Sequence, residues 1–266
     1  MSAPVLPPQP RHWQKKALGA IAFIAITITT CIPNWGGIEI DFAQIAQNWR
    51  NGADRLALMF SPDWSVLTRT KEPMLETIAM SIIGATISAA IALPLSLWAA
   101  RPTNPSTWAR TLVRGIVNVV RAVPDLVYAT ILVTMVGVGA LPGIITLILF
   151  DIGIVVKLVS EAIDSADDSY MEAGRAAGGT QHQINRVTAL PQTMPTFISQ
   201  VIYSLELNVR ISAVLGLVGA GGIGLLIDEV RGFYRYDALA AIVLELLVVI
   251  IALEVGLRPV VWCNAC

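Results

Sequence analysis

Three opposite-charge pairs sit inside, or at the ends of, long apolar runs: Arg121 with Asp125, Lys157 with Glu161, and Glu206 with Arg210, each four residues apart. On a helix, residues four apart share one face. A charge at the centre of a bilayer costs about 2.5–3.5 kcal/mol on insertion scales, so such groups turn toward protein or a water-filled path. Each pair contains a cation, and Asn208 adds an amide to the third. The planar guanidinium of Arg offers a fork of donors matched to phosphate or phosphonate oxygens. One pair alone is as readily a self-neutralising lock between helices; three on consecutive spans point to a polar path along which a small anion is handed on. By depth in their runs Arg121 and Arg210 rank first, then Glu206 and Asn208, then Lys157 and Glu161. Lys157 ranks low because it lies near the end of its run, where its long stem reaches the interface. Asp151 and Glu245 are single carboxylates within apolar runs, with no partner visible in the sequence.

Those charges are a minority. The chain has 266 residues, 55% of them hydrophobic and only 14% Asp, Glu, Lys or Arg, against about 25% charged in a soluble domain. Mean hydropathy is +0.66. Too few charges remain to solvate a surface, so much of it faces a lipid bilayer. With 18 Lys+Arg against 19 Asp+Glu the net charge is −1, and no basic excess points to nucleic acid. Runs near the length that crosses about 30 Å of hydrocarbon predict an all-α polytopic transmembrane helical bundle of about six spans: 17–33, 76–100, 116–138, 141–160, 195–219 and 238–257. The first follows Arg11, Lys15 and Lys16 as a signal peptide would, but Thr29-Thr30-Cys31 is not a small-x-small cleavage site, so it reads as an uncleaved anchor. Lys and Arg favour cytoplasmic loops; with the N-terminus inside, nine such residues fall inside against six outside. The expected organisation is a cytoplasmic tail at 1–16, an anchor at 17–33, an extracytoplasmic segment at 34–71, a transmembrane domain at 72–258 and a tail at 259–266, with both termini cytoplasmic.

Between the fourth and fifth spans, the cytoplasmic loop at 161–192 carries two helix starts in series. Ser169-x-x-Glu172 and Thr180-x-x-Gln183 both have capping-box form, a hydroxyl followed three residues on by a carboxylate or amide. Gly178-Gly179 stops the first helix, since Gly tolerates the left-handed conformation there, and Leu190-Pro191 ends the segment before the next span. The prediction is helix, tight turn, helix at the inner membrane face. Further on, Gly219, Gly221 and Gly224 spell the G-x-G-x-x-G string, with Gly222 inside it and Asp237 downstream where a ribose-binding acid would stand. A membrane-length apolar run follows rather than a βαβ unit, so these glycines read as a helix break or a close approach of helices. No G-x-x-x-x-G-K-S/T occurs, so no nucleotide site of the chain's own is expected. Three Cys and two His offer no metal framework: Cys263-x-x-Cys266 has no second ligand pair, and His12 and His182 read as surface residues.

Glu172-Ala173-Gly174, then Gly178, then Leu190-Pro191 resembles the signature loop of ABC importer permeases, which reads Glu-Ala-Ala, three residues, Gly, nine residues, Ile, one residue, Leu-Pro. The spacing holds from Glu172 to Pro191, with Gly174 in place of the second Ala and Thr188 in place of the Ile. The resemblance implies that Glu172 through Gly178 form a coupling helix that docks on a separate ATPase, with Arg175 adding a polar contact. Glu206-x-Asn208-Val-Arg210 and the stretch from Val214 to Gly224, together with Arg121, Lys157-Leu-x-Ser-Glu161 and Leu190-Pro-Gln, are similar to the permease subunits of phosphonate-type ABC importers, a branch close to the methionine importers. The similarity runs from about Glu72 to the last span.

That resemblance implies a multi-pass protein of the bacterial inner membrane with three partners. They are two copies of an ATPase subunit that binds ATP and Mg, an extracytoplasmic substrate-binding protein, and a second permease copy in a homodimer. The chain itself would carry no cofactor and catalyse nothing. The implied cargo is phosphonate or a related phosphorus oxyanion such as phosphate or phosphite, with a methionine-like or other small solute as the alternative. An ATP-independent secondary anion transporter would show inverted repeats, and no duplicated pattern is visible. An intramembrane enzyme built on Glu245 or Asp151 would need a converging nucleophile or metal set, and none appears.

Overall fold

A computed structural model describes residues 13–30, 42–167 and 169–265, among which all regular structure is helical. His12, Cys266 and the first part of the expected extracytoplasmic segment, 34–41, lie outside the described residues, as does the side chain of Cys263. The chain divides into two compact units, 1–55 and 56–266. In the first, α1 (Trp13–Thr30) occupies the expected anchor. Its apolar stretch, Lys16–Thr29, is shorter than the four helices long and apolar enough to cross a membrane, and its Leu18, Ile21, Phe23 and Ile24 are exposed. Helix α2 (Phe42–Met59) starts in this unit and ends in the next. It mixes Gln, Asn, Arg and Asp with apolar residues and is not among the helices apolar enough to cross a membrane.

The second unit holds α3 (Leu67–Ala99), α4 (Thr107–Ala122), α5 (Asp125–Val136), α6 (Ala140–Ser165), α7 (Ser169–Ala176), α8 (Gln181–Ile184), α9 (Leu190–Leu215), α10 (Ile223–Gly232) and α11 (Tyr236–Ala265). Helices α3, α6 and α9 pack on one another at its centre, with α4 and α5 on α6 and α11 on α9. Apolar side chains gain little by leaving hydrocarbon for protein, so close packing and interhelical hydrogen bonds hold such a bundle together. The sequence supplies the packing through small residues: Ser81, Gly84, Ala85, Ser88 and Ala92 of α3 are all buried. A Cβ at Gly84 would stand 3.0 Å from Leu147 Cβ of α6. Larger side chains then close the two ends. Val113, Val117, Val155, Val159 and Phe197 fill one cluster among α3, α4, α6 and α9. Met74, Ile223, Leu226, Ala241 and Ile242 fill another among α3, α10 and α11.

Of the six expected spans, four are long apolar helices: Trp64–Ala99, Ala140–Ser165, Gln181–Val218 and Tyr236–Leu257. The first expected span is the shorter helix Lys16–Thr29. The third, expected as one helix, is a pair, α4 and α5, bent by 82°. Pro124 causes the bend. It lacks an N–H, and it pushes Val123 ahead of it out of the helical region to φ −88°, ψ 127°.

The fifth span also departs from expectation. Leu190-Pro191 does not end the loop, because α8 runs through a π turn at Asn185–Ala189 directly into α9. The Leu190 N–H bonds back to the Asn185 carbonyl, five residues earlier. This wider turn stands just ahead of Pro191, whose ring would otherwise crowd the preceding turn of a regular helix. Helix α8 and the span are therefore one continuous rod.

Candidate coupling and translocation sites

The loop after α6 folds as helix, turn, helix. Ser169 is the first residue of α7 rather than its cap, and its N–H donates to Asp167 Oδ1 at 3.0 Å. Hydrogen bonds from Ser169, the backbone N–H first and then the hydroxyl, hold the Asp167 carboxyl below the usual carboxylate range. Gly178 then turns the chain at φ +79°. Its N–H donates to the Arg175 carbonyl (2.9 Å) and that of Gly179 to the Gly174 carbonyl (3.1 Å). The second capping box forms as spaced: Thr180 N–H donates to Gln183 Oε1 (2.9 Å) and Gln183 N–H to Thr180 Oγ1 (3.5 Å).

Met171, Ile184 and Ala189 make a small buried core for this element, and the two departures from the family pattern both line it. A Cβ at Gly174 would lie 3.2 Å from Ile184 Cγ1, and Thr188 Oγ1 sits 3.2 Å from Met171 Sδ. Glu172, Ala173, Arg175, Gly178 and Pro191 are exposed and Leu190 is half-buried. The element thus presents an exposed rim bearing Glu172 and Arg175 over a core of its own.

The three expected charge pairs have different fates. Lys157 pairs with Glu161 and Arg210 with Glu206, each along one helix and in direct contact. Arg121 and Asp125 do not pair. The bend at Pro124 puts them on two helices, so four residues no longer mean one face. Asp125 Oδ1 accepts from the Leu126 N–H (3.0 Å) at the start of α5. Arg121 lays its stem over Gly153, where a Cβ would meet its Cγ at 2.6 Å. Arg121 lines a cavity of about 280 Å³ together with Asp125, Tyr128, Phe150 and Ile154.

Asn208 is not beside Arg210. Two residues along a helix turn about 200° at 3.6 residues per turn, and Asn208 points into the bundle, fully buried. There its Nδ2 donates to Asp151 Oδ2 at 2.7 Å, and Ser88 Oγ donates to the same oxygen at 3.1 Å. Asp151, which had no partner in the sequence, is thus the hub of a triad joining α3, α6 and α9. Asp151 Oδ1 and Asn208 Oδ1 are buried without a hydrogen bond, as is Glu245 Oε2 on α11.

The glycine string is a buried crossing between α9 and α10. Gly219, Gly221 and Gly222 take φ of +92°, +83° and +68°. A Cβ at Gly222 would stand 2.5 Å from Thr77 Oγ1, the hydroxyl that accepts the Ile223 N–H. Gly224 lies against Gly216: a Cβ on the latter would be 2.3 Å from Gly224 Cα. Gly216, Gly221 and Gly224 serve backbone-to-backbone contact, with no strand ahead of the string among the described residues.

The family profile of the binding-protein-dependent transport system inner membrane component matches residues 92–257, which contain the bend, the coupling loop and the glycine crossing. The chain belongs to that family. Among its relatives, the phosphite transport system permease protein PtxC of Stutzerimonas stutzeri is 40% identical over 71% of this chain and 69% of its own. The putative phosphite transport system permease protein HtxC of the same organism is 32% identical over 83% and 78%. The phosphate-import permease protein PhnE of Mycolicibacterium smegmatis is 37% identical over 67% of this chain, which spans about a third (34%) of that longer relative. Among solved structures, the MetNI methionine ABC transporter in an inward-facing conformation superposes with a TM-score of 0.68 at 23% identity, over 76% of this chain and 99% of that one. At that identity the likeness speaks for the fold.

The permease is therefore a multi-pass membrane subunit of an ABC importer. It works with a substrate-binding protein and a separate ATPase that hydrolyses the ATP. Sequence reasoning missed two sets of partners among its residues. Asp151 and Ser88 carried no spacing signal, being 57 and 120 residues from Asn208. Asp164 and Arg114, which pair at 2.6 Å, looked like ordinary loop charges for the same reason. The signal that finds such partners is tertiary.

Proposed function

We propose that the permease conducts a phosphorus oxyanion of the phosphite, phosphate or phosphonate class through a polar path whose first cation is Arg121. The carrying observation is the setting of Arg121: among the described residues its guanidinium has no hydrogen bond or ion pair, and the residue lines a cavity of about 280 Å³ at the α4–α5 bend. A guanidinium without a carboxylate partner keeps its donor fork free for a transient anion. Lys157 and Arg210, each already held by an acid, exchange that acid for the passing anion less readily. They form secondary stations with Glu161 and Glu206. The phosphite and phosphate names of the relatives support the same cargo class.

In this reading two copies of the permease form the path as a homodimer. Two ATPase copies, with ATP and Mg bound, dock on the exposed rim from Glu172 to Gly178 at the cytoplasmic face. Both termini lie on that side, the anchor and tails keep the bounds given above, and the segment 34–71 faces the binding protein. Closure of the ATPase pair then moves the continuous rod of α8 and α9, and the packed bundle switches between discrete arrangements.

The test is uptake into vesicles reconstituted with the permease, its ATPase and its binding protein, offered phosphite, phosphate, methylphosphonate or a quaternary ammonium solute. The expected result is oxyanion uptake that drops about 10–100-fold in Arg121→Ala, as for loss of a charge-assisted hydrogen bond, and is partly restored in Arg121→Lys. Uptake of the ammonium solute instead, or full oxyanion uptake in Arg121→Ala, would overturn the proposal.

A further inference from the structure

Helices α7 and α8 reach the membrane helices covalently at α6 and α9 only. Neither α3 nor α4 is joined to them along the chain, yet α3 is central to the bundle and α4 carries Arg121. A polar strap makes the missing connection. Gln181 Nε2 donates to the Pro102 carbonyl at 3.0 Å, and Asn185 Nδ2 donates to the Thr103 carbonyl at 2.7 Å. Gln181 Nε2 also donates to Asn185 Oδ1 (2.9 Å), so the two amides act as one unit. Arg175, on the outer rim, adds a longer bond to the Pro102 carbonyl (3.4 Å).

The turn that receives these bonds is stiff. Between α3 and α4, Asn104 Nδ2 donates to the Trp98 carbonyl (2.9 Å), and Arg110 donates back to the Asn104 carbonyl (2.6 Å). Thr103 is buried, and its hydroxyl bonds to the Leu97 carbonyl. The far side of the turn is clamped by Asp164 at the end of α6. It accepts from the Arg101 N–H at 2.7 Å and from Arg114 at 2.6 Å. Arg114 Nε in turn donates to the last α3 carbonyl, that of Ala99, at 2.7 Å. A displacement of α8 therefore pulls on Pro102 and Thr103, and that turn is tied to the ends of α3, α4 and α6 together.

We infer that Gln181 and Asn185 are positioning residues of the transport cycle: their amides, bonded to the Pro102 and Thr103 carbonyls, convert movement of the docked coupling loop into movement of α3 and α4. This rests on the docking role proposed for Glu172 to Gly178. The geometry favours a mechanical role over a merely adhesive one. The small core of Met171, Ile184 and Ala189 already holds the loop together internally. The strap instead leaves that core and ends on a turn that is itself bonded to the ends of α3, α4 and α6.

The experiment uses the whole reconstituted importer and reads substrate carried per ATP hydrolysed, besides ATPase co-purification. The variants are Gln181→Glu and Asn185→Asp, which keep shape but set an acceptor against each carbonyl, and Gln181→Met, which removes the donor without adding charge. ATPase binding and hydrolysis are expected to persist in all three. Substrate carried per ATP is expected to fall by about tenfold, the equivalent of one or two lost hydrogen bonds. Asn185→Gln, which keeps a donor, recovers part of the ratio. Should an acidic variant fail to insert, Gln181→Met still decides. A wild-type ratio in Gln181→Met, with the ATPase bound, overturns the strap and leaves the docking proposal standing. Failure of the wild-type chain to bind an ATPase overturns the docking proposal itself.

Discussion

Gly178 separates conformational strain from crowding at the turn proposed to dock on the ATPase. Its φ is +79°, and a Cβ added there meets nothing within 4 Å in this chain. Ala at this position therefore costs about 1–2 kcal/mol of left-handed backbone strain and no packing. That strain is relieved only if the turn opens, which gives up the Gly178 and Gly179 hydrogen bonds to Arg175 and Gly174 (2.9 and 3.1 Å). A strain of that size is about 5–30-fold in the population of the closed turn. Asn adopts the left-handed region far more easily than Ala, so Gly178→Asn carries a larger side chain at a smaller strain. The assay is ATP hydrolysis and uptake measured together in reconstituted vesicles. Gly178→Ala is expected to insert normally, to hydrolyse ATP, and to carry about 5–30-fold less substrate per ATP, whereas Gly178→Asn retains most coupling. The opposite order, Asn worse than Ala, would mean that an ATPase surface crowds the turn and that backbone strain is not the limiting factor. Equal, full activity in both would refute a docking role for this turn.

Gly216→Ala sets a Cβ 2.3 Å from Gly224 Cα and 2.6 Å from Leu225 N. Backbone cannot rotate away, so the loss is expected at or above the upper end of the usual overpacking range, about 3 kcal/mol, seen as a large drop in the melting temperature of the detergent-solubilised protein. Asn208→Ala removes the 2.7 Å bond to Asp151 and is expected to cost about 1–2 kcal/mol, since interhelical hydrogen bonds in bilayers reach about 1.7. Asp151→Asn should cost less, and a thermal scan showing Asn208→Ala as stable as wild type counts against the triad as a helix pin. Arg210→Ala should weaken oxyanion uptake by several-fold. If adding Glu206→Gln to it restores full uptake, the Glu206–Arg210 pair only locks its helix and is no part of the path.

Long apolar runs and a charge content of 14% were enough to specify a helical membrane bundle and the rough limits of its spans, because lipid forces the backbone to bond within helices or closed barrels and continuous apolar runs of about 20 residues suit the helix. The turn of the coupling loop was equally legible, since Gly178 and the Thr180–Gln183 capping box are local devices that act within a few residues. The limits of that legibility were local too. Pro124 was visible in the sequence, yet whether it would bend or break a span depended on what packed around it. Pro191 was visible as well, and it proved to sit in a continuous rod because the π turn ahead of it makes room.

Spacing alone fixed the partners only where both lie on one unbroken helix. Lys157 with Glu161 and Glu206 with Arg210 meet that condition, and Arg121 with Asp125 does not, being parted by an 82° bend. The remaining partners are long-range. Asp151 finds Asn208 and Ser88, Asp164 finds Arg114, and Gln181 and Asn185 find the turn after α3. The sequence by itself determined the membrane bundle, the family and the glycine turn at Gly178, since composition and short-range chemistry decide those. Only the tertiary structure decided which polar groups are locked to one another and which, like the Arg121 guanidinium, are bonded to no other described residue, because a hydrogen bond between helices depends on how they pack.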